Sequence, residues 1–359
     1  MKKLLIILAA VLAALILAVG GYVGYVAAAY HRIGDTALTP EGSGSRPLEA
    51  GETYGMVSWN IGFGAYESDY GFFMDGGKQS RAWSPTRLRE NMMKIAETLA
   101  AEDADLYLIQ EVDTDATRTY HTDEREYLIS SMIPQEYMSV YAPNYDSPYL
   151  LVPPYQPHGA SKSGIMTFSR FEVSSARRVE LPVESGFMKL IDLDRCYSKS
   201  RLPVEGGREL VLYNFHLSAY TSDGRIAATQ LEMMISDMKG EYERGNWCIA
   251  GGDFNKDLIG GENVFGVTDD RYNWAQPLPE GIFKGTGIRL IAPFDENDPV
   301  PSCRNADSAY HEGQYVITVD GFMVSENVEV TSSAVINTGF AYSDHNPVRM
   351  EFVMTGMKR

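Results

Sequence analysis

The sequence NWCIAGGDFN, residues Asn246–Asn255, joins an apolar strand candidate to two polar side chains, Asp253 and Asn255. A short apolar run that ends in glycines is typical of a buried β-strand followed by a turn. The same arrangement, in which a polar side chain follows an apolar strand, recurs along the chain at Asn60, Glu111, His216, Asp320, Asp344 and His345. One polar residue at a strand end is usually a turn former. Several carboxylates, amides and histidines in that position together indicate a common site.

The composition is that of a folded and acidic protein. The chain has 359 residues, of which 44% are hydrophobic and 22% are charged, and these fractions exclude wholesale disorder, collagen and coiled coil. With 31 Lys and Arg against 48 Asp and Glu, the net charge is −17. Such a chain repels polyanions at long range unless a local patch or a bound cation reverses the sign. The three cysteines are widely spaced and form no CxxC motif, which argues against a disulfide framework or a structural zinc site.

An apolar segment, residues 4–30, follows Lys2 and Lys3 and contains no charged side chain. It exceeds the ~20 residues that span a bilayer core. Two interpretations remain open: an uncleaved signal anchor, or a signal peptide cleaved near the small residues Ala27–Ala29. The length of the run favours the anchor. Because paired lysines stay on the cytoplasmic side, we predict a membrane-anchored protein whose remaining chain is extracytoplasmic, with secretion after signal cleavage as the alternative.

The domain organisation follows from this segment. Residues 1–30 are predicted to be the transmembrane anchor or signal sequence. Residues 31–51, which contain Gly, Ser, Pro and Thr with little periodicity, are predicted to be a linker. Residues 52–356 are predicted to form one catalytic domain.

Helices and strands are mixed along this domain without a regular βαβ alternation. Helices are predicted at Pro85–Ala101, with Ser84 as N-cap, at Glu124–Met132 and at Arg225–Glu243. The inward positions of the third helix are predicted at Ile226, Thr229, Met233 and Ile235. Pro134–Gly159, rich in Pro and Tyr, is predicted to be a long loop. Strands are predicted at Tyr54–Asn60, Asp105–Gln110, Ser163–Ser169, Val173–Leu181, Met188–Asp194, Glu209–Phe215, Asn246–Gly251, Gln314–Val324 and Arg349–Met354. This mixture favours a two-sheet sandwich flanked by helices.

Six short segments carry a family resemblance. In chain order they are WNIG (Trp59–Gly62), LIQEV (Leu108–Val112), YNFHL (Tyr213–Leu217), GGDFN (Gly251–Asn255), VDGF (Val319–Phe322) and SDHNPV (Ser343–Val348). They resemble the ordered motifs of the endonuclease/exonuclease/phosphatase superfamily, which contains DNase-I-like nucleases, apurinic endonucleases, inositol polyphosphate phosphatases and neutral sphingomyelinases. With its apolar N-terminus, the chain resembles a membrane-anchored, bacterial-type member. The resemblance implies an α/β fold, a four-layer α/β sandwich in which two mainly antiparallel β-sheets pack face to face with helices outside.

The chemistry that the resemblance implies is metal-dependent hydrolysis of a phosphate ester. Glu111 would be the principal ligand of Mg²⁺, a hard ion that prefers oxygen donors, with Mn²⁺ as the alternative. Asn60 would supply a carbonyl oxygen to the metal or its water shell, and Asp344 would be a second ligand or a support for the first. The cation would neutralise charge on the phosphoryl and leaving oxygens.

The catalytic roles implied by the resemblance fall on five residues. Asp253 would orient or deprotonate the attacking water, and Asn255 would donate an amide hydrogen bond to the phosphate. His345 would contact the phosphate or act as the base. Its partner would be Asp320, because an ionised partner fixes the orientation of an imidazole and raises its affinity for a proton. His216 would stabilise the phosphate or the leaving group.

Other positions have weaker assignments. Arg195 and Arg201 are candidates for binding the substrate phosphate, since an arginine fork matches phosphate geometry, although each could equally be a solvated loop arginine. Some nucleases of the superfamily carry an extra carboxylate two positions after the motif asparagine, where this chain has Gly62. Three further histidines match no motif and are expected on the surface: His121, His158 and His311.

The sequence predicts the reaction type better than the substrate. A phosphodiesterase of the endonuclease type, acting by in-line attack of an activated water, is one hypothesis. The alternative is a sphingomyelinase-like or inositol-phosphate-like enzyme acting on a lipid or small phosphate ester. A non-catalytic domain that keeps the fold is the third. The expected partners are the phosphate-ester substrate and, through the N-terminal segment, a membrane; the sequence indicates no protein partner.

Overall fold

Two β-sheets and four helices make up the computed structural model, which describes residues 1–44, 46–132, 136–183, 194–219, 225–260, 264–265 and 274–356. In chain order the strands are β1 (Thr36–Leu38), β2 (Thr53–Asn60), β3 (Leu106–Ala116), β4 (Met138–Leu150), β5 (Gly159–Ser169), β6 (Ser175–Glu180), β7 (Cys196–Val204), β8 (Arg208–His216), β9 (Trp247–Asp253), β10 (Ile288–Ile291), β11 (Cys303–Arg304), β12 (Val316–Ile317), β13 (Asp320–Ser325), β14 (Val328–Val335) and β15 (Val348–Met354). The helices are α1 (Lys2–Ala29), α2 (Pro85–Glu102), α3 (Glu124–Met132) and α4 (Arg225–Glu243).

The strands form one sheet in the order β1-β6-β7-β8-β9-β13-β10 and a second in the order β14-β15-β2-β3-β5-β4, with β11 and β12 as a separate pair. Within the described residues of the two large sheets, neighbouring strands are antiparallel except for β2 with β3 and β8 with β9. These two parallel pairs lie inside their sheets, and the chain crosses from one strand to the next through α2 and α4. The carboxyl ends of each parallel pair therefore lie side by side.

Three hydrophobic clusters define the layers. Between the two sheets lies a core that includes Leu108, Ile249 and Phe322. A second cluster packs α2 and α3 on the outer face of the six-stranded sheet, and a third packs α4 on the outer face of the seven-stranded sheet. Helix, sheet, sheet and helix thus form four layers, which confirms the predicted sandwich.

Helix α2 shows how the local sequence sets these elements. Its N-cap Ser84 accepts a hydrogen bond from the Arg87 backbone N–H at 3.2 Å, and Pro85 occupies the first turn. The buried positions recur at helical spacing and face the sheet: Leu88, Asn91, Met92, Ile95, Ala96 and Leu99. The helix ends at Asp103, which adopts a left-handed conformation.

The predicted loop Pro134–Gly159 is wrong over half of its length, because Met138–Leu150 forms β4. Among the strands of the described residues, β4 pairs with β5 and lies at the edge of its sheet. An edge strand tolerates proline, since its outer N–H groups need no ladder partner, so Pro143 and Pro148 do not end it.

The predicted inward face of α4 is also mostly wrong. Met233 is 38% exposed, and of the four predicted positions only Ile235 is fully buried. The buried face is shifted by about one residue, to Ala227, Gln230, Leu231, Met234, Ile235, Met238 and Glu241. Residues 188–193 of the predicted strand Met188–Asp194 lie outside the described part of the chain.

The segment predicted as a linker, residues 31–51, packs along the sheets. Within it β1 pairs with β6, Glu41 forms a bridge with Ser139, and Leu48 is fully buried in the core between the sheets. The segment therefore does not hold the domain away from α1. The division of the chain at residues 30 and 51 stays a prediction.

A buried ion-pair network ties α4 to the seven-stranded sheet. The Glu241 carboxylate is buried and forms ion pairs with Lys199 at 2.8 Å, with Arg244 at 3.2 Å and with Arg201. It also accepts a hydrogen bond from the Asn246 side chain at 2.9 Å. Burial alone would raise the pKa of Glu241, but the hydrogen bonds from Lys199 and Asn246 outweigh it and lower this pKa to about 2.

We predict that Glu241→Gln lowers the free energy of unfolding by about 2 kcal/mol at pH 7, because it removes the buried carboxylate that Lys199, Arg201 and Arg244 share. A carboxylate with a lowered folded-state pKa stabilises the fold above its ordinary pKa, and this contribution disappears as the pH falls towards 2. The stability difference between wild type and variant should therefore shrink below pH 5. Chemical denaturation between pH 7 and pH 3 measures it. The matched control is Glu243→Gln, which removes an exposed pair with Lys239; an equal loss in both variants would contradict the prediction.

Candidate active site

A cavity of about 150 Å³ opens where the carboxyl ends of the two parallel pairs meet. Eight of the residues predicted for the site line it: Asn60, Glu111, Arg195, His216, Asp253, Asn255, Asp344 and His345. Asp320 lies directly behind His345, to which it is hydrogen bonded. Nine of the ten predicted site residues therefore converge on one place.

Arg201 is the exception. It lies within β7 and its guanidinium pairs with Glu209 and Glu241 on the outer side of the sheet. The guanidinium N–H groups of Arg201 therefore bind two carboxylates that stabilise the fold. The structure places Arg201 away from the cavity.

Glu111 reaches the cavity because of an irregularity in β3. The register between β3 and β5 shifts between Ile109 and Val112, and Glu111 adopts a left-handed conformation with φ 57°. A bulge of this kind rotates a side chain out of the regular alternation of a strand. A non-glycine residue in this conformation costs about 1–3 kcal/mol, and such strain concentrates at functional sites.

Asn60 connects the two sheets. Its amide nitrogen donates to Glu111 Oε1 at 3.1 Å and to Asp253 Oδ2, on the other sheet, also at 3.1 Å. Its amide oxygen accepts the Gly62 backbone N–H at 3.0 Å, because the chain turns tightly after β2. The predicted orientation, with the carbonyl oxygen towards a metal, is therefore not the one that the structure shows.

Asp253 occupies the centre of the site. Strand register places it opposite His216 on β8 and opposite Asp320 on β13. Its Oδ1 accepts the Asn255 backbone N–H at 2.8 Å, and its Oδ2 lies 3.4 Å from His216 Nε2 and 3.8 Å from His345 Nε2. Burial raises the pKa of Asp253 well above that of an ordinary aspartate, although the nearby His345 opposes this.

His345 is held by a chain of hydrogen bonds. Its Nδ1 lies 2.7 Å from Asp320 Oδ2, which also accepts the Ser302 hydroxyl at 2.7 Å. Ser302 in turn accepts the backbone N–H groups of Val319 and Asp320. Burial alone would lower the pKa of His345, but Asp320, with Cys303 and Asp253, raises it well above its ordinary value. The ring is therefore an imidazolium whose Nε2 faces the cavity.

The pKa of His216 is shifted in the opposite direction from that of His345. The His216 ring is buried, and desolvation together with the charges of Arg195 and His345 lowers the pKa of His216 well below its ordinary value. The two histidines of the site therefore differ, with His216 neutral and His345 charged. Arg195 is also buried and lines the cavity beside them.

Gly62 explains why an extra carboxylate is missing from this site. It has φ 54°, and a Cβ atom there would lie 2.7 Å from the Tyr66 ring and 3.2 Å from Asp344 Oδ1. The Tyr66 ring thus fills the space that a side chain at position 62 would need.

Asp344 is an acidic residue of the same site. Burial raises the pKa of Asp344 to about 7, and the charge of Glu111 adds to this effect.

The donor set at Glu111 and Asp344 fits a hard divalent cation. Two arginines that line the cavity have other partners: Arg118 pairs with Asp113 at 2.8 Å, and Arg304 donates to backbone carbonyl oxygens. The charge of Glu111 raises the pKa of Asp344, and a bound divalent cation would remove this repulsion. A second cluster, with ligand atoms within 4.8 Å, consists of Asp253, Asp320 and His345. It fits less well, since Asp320 is already engaged.

Several residues of the site carry no sequence signal. His158, expected on the surface, is buried and lines the cavity, and burial lowers the pKa of His158 to about 3. Cys303 also lines it, with Sγ 3.5 Å from His345 Nε2. Ser302 directly precedes Cys303 and follows no apolar strand. His121 and His311 are exposed, as expected.

The sequence profile of the Endonuclease/Exonuclease/phosphatase family matches residues 57–345. The chain belongs to this family. Members of the family are phosphoester hydrolases. The matched range begins inside β2 and ends at His345, so it contains all ten residues predicted for the site.

Solved structures of the family share the fold. The chain is similar to an endonuclease/exonuclease/phosphatase from Beutenbergia cavernae (TM-score 0.60, 18% identity, covering 85% of this chain and 72% of that one). It is also similar to the catalytic domain of human Nocturnin (TM-score 0.54, 18% identity, 89% and 98%). A third is the family member from Bacteroides vulgatus (TM-score 0.55, 14% identity, 84% and 99%). Among curated proteins, none matches the chain in sequence.

We predict that Glu111→Gln weakens Mg²⁺ binding at least about tenfold, because it removes one of the two carboxylates assigned to the cation. Since Asp344 binds a proton below about pH 7, Mg²⁺ affinity of the wild type should fall between pH 8 and pH 6. In the variant this fall should move to lower pH. Calorimetric titration measures both effects. Asp115→Asn, on the same strand but exposed and hydrogen bonded to His121, is the control and should bind as wild type. Unchanged Mg²⁺ affinity in Glu111→Gln would refute the assignment.

Proposed function

We propose that this protein is a divalent-metal-dependent hydrolase that cleaves a phosphodiester by in-line attack of an activated water. The observation that supports this most is the convergence of Glu111, Asp253 and His345 in one cavity. They come from a bulge in β3, the end of β9 and the segment before β15. Their chemistry is complementary: a carboxylate for a cation, a carboxylate that holds a proton near neutrality, and a fixed imidazolium.

Asp253 is proposed to accept the proton of the attacking water. Its Oδ2 is held by Asn60 and lies between the two histidines, so one lone pair faces the cavity in a fixed direction. A raised carboxylate pKa brings a general base closer to the pH at which proton transfer is most efficient. Asn255 fixes the other oxygen through its backbone N–H.

His345 is proposed to bind the phosphate rather than to act as the base. Because Asp320 keeps its ring protonated, Nε2–H is a donor throughout the neutral range. A positioned cationic donor stabilises the charge that develops on phosphoryl oxygens in the transition state. Asn255, Arg195 and neutral His216 line the same wall and are proposed to contact the phosphate or the leaving group.

Glu111 and Asp344, with Asn60 beside them, are proposed to hold Mg²⁺ or Mn²⁺. When bound, the cation supplies Lewis-acid stabilisation of the phosphoryl and leaving oxygens. The cation would also offset the repulsion between the acidic chain and an anionic substrate.

A lipid or small phosphate ester is the second candidate substrate, beside nucleic acid. The net charge of −17 favours it, since binding a nucleic-acid duplex depends on many Lys and Arg contacts to phosphates.

We also propose that α1 is retained as a membrane anchor and that the catalytic domain is extracytoplasmic. Helix α1 is long and apolar enough to cross a membrane.

We predict that the purified full-length protein releases product from a phosphodiester in Mg²⁺ and that EDTA abolishes this release. Bis(p-nitrophenyl) phosphate, plasmid DNA, RNA, sphingomyelin and an inositol phosphate would be compared. Asp253→Asn, of nearly identical shape, should lower kcat by about 10²–10⁴ because it removes the proton acceptor. The control is Asp295→Asn in an exposed loop. Full activity of Asp253→Asn would disprove the mechanism.

We predict that Asp320→Asn lowers kcat and that its deficit relative to wild type grows from pH 6 to pH 8. Without the carboxylate, the His345 pKa falls, so the donor is lost as the pH rises. Ser302→Ala, which removes one hydrogen bond to Asp320, should show a smaller deficit with the same trend. Parallel pH–rate profiles for wild type and Asp320→Asn would mean that Asp320 merely orients the ring.

A further inference from the structure

The end of β4 and the residues that follow it, 149–155, expose a cluster of apolar side chains; we call this segment the apolar loop. Tyr149 is 39% exposed, Leu151 47%, Val152 56% and Tyr155 67%. Single exposed apolar residues are common on protein surfaces, but a contiguous patch usually marks an interaction site.

The apolar loop is fixed to the last third of α1. The Tyr22 hydroxyl accepts the Leu151 backbone N–H at 2.9 Å, and the Tyr25 hydroxyl accepts the Tyr149 backbone N–H at 3.2 Å. Val26 packs against Leu150, and both side chains are buried. The helix end is thus bound to the catalytic domain by contacts that a cleaved signal peptide would not retain.

The position of these contacts along α1 sets the depth of the loop in a bilayer. A membrane core is about 30 Å thick and is crossed by ~20 helical residues. A span that begins at Leu4 therefore ends near Tyr22 and Tyr25. Tyrosines are enriched at the membrane interface, where their hydroxyls meet the polar layer. The loop that these two hydroxyls hold lies at the same level.

The apolar loop is also close to the cavity. Directly after it, the Gln156 side chain accepts the Ser80 backbone N–H at 2.8 Å, and the Pro157 carbonyl accepts Arg81 Nε at 2.8 Å. His158, the next residue, lines the cavity. Only two residues therefore separate the exposed loop from the cavity wall.

We propose that the apolar loop inserts into the interfacial layer of the bilayer that holds α1, so that the cavity mouth lies next to the lipid surface. The surface that it fits is zwitterionic, since a chain of net charge −17 is repelled by anionic lipids. This proposal rests on α1 being a membrane anchor, as proposed above, and not on the hydrolytic mechanism. It makes the outer layer of a membrane the place from which a phosphate ester would enter.

The test uses full-length protein reconstituted in phosphatidylcholine vesicles. Val152→Cys carries an environment-sensitive fluorophore, and the three native cysteines, all buried, do not compete for the label. The control is Met233→Cys, which is 38% exposed and lies on α4 at the outer face of the seven-stranded sheet. We expect the label at position 152 to shift its emission to the blue and to lose fluorescence when doxyl-labelled lipid is included. The label at position 233 should do neither.

Two outcomes would overturn the proposal. One is equal emission and equal quenching at both positions. The other is a label at position 152 that is shielded from doxyl lipid and from aqueous quencher alike, which would mean that protein covers the loop.

A second variant, Leu151→Ser with Val152→Ser, measures the consequence for catalysis. It should lose hydrolysis of a phosphodiester embedded in the vesicles while it retains hydrolysis of soluble bis(p-nitrophenyl) phosphate, and equal loss on both would count against the proposal. If the wild type hydrolyses no substrate, the proposed function fails, but the quenching result still decides the membrane contact.

Discussion

The site depends on the close approach of two sheets at their strand ends. Asn60 on one sheet donates to Asp253 on the other at 3.1 Å, and the buried amides of Gln110 and Asn214 form a second cross-sheet hydrogen bond of 2.8 Å. Gly251 permits this approach, because a Cβ atom there would lie 2.8 Å from a Leu108 methyl group. The contact between Asn60 and Asp253 is therefore set by the spacing of the sheets, which close-packed side chains hold fixed.

The close approach of the sheets buries several acidic side chains together, and this burial shifts their pKa values. Burial raises the pKa values of Asp253 and Asp344, while Asp320 uses its charge to keep His345 protonated. Burying a carboxylate costs stability, so several buried carboxylates grouped in one cavity indicate a role beyond folding. Part of the negative charge of the chain therefore lies in this site, where one divalent cation and one imidazolium would offset it.

Much of the fold and of the site could be predicted from the sequence, because polar residues at the ends of apolar runs and six motifs in order identify the strand ends. The predictions that were wrong concern features that depend on tertiary context. Strand β4 was hidden by prolines that only an edge position tolerates. The inward face of α4 was misplaced, since its buried positions include Gln230 and Glu241, which no hydrophobic pattern reveals. The left-handed Glu111, the orientation of the Asn60 amide and the buried His158 arise from a bulge, a turn and a neighbouring loop.

The chain between α1 and the sheets bears on how the domain would sit at a membrane. A free linker of 21 residues, 31–51, would let a domain tumble at some distance from its anchor. Here the segment is held at several points: His31 pairs with Asp146 at 3.3 Å, Arg32 pairs with Glu180 at 3.0 Å, and Leu48 is part of the core. A domain held in this way has one orientation relative to its helix. Because orientation is fixed, a helix in a bilayer would direct one face of the sandwich at the lipid surface, and that face contains the end of β4 and the wall of the cavity.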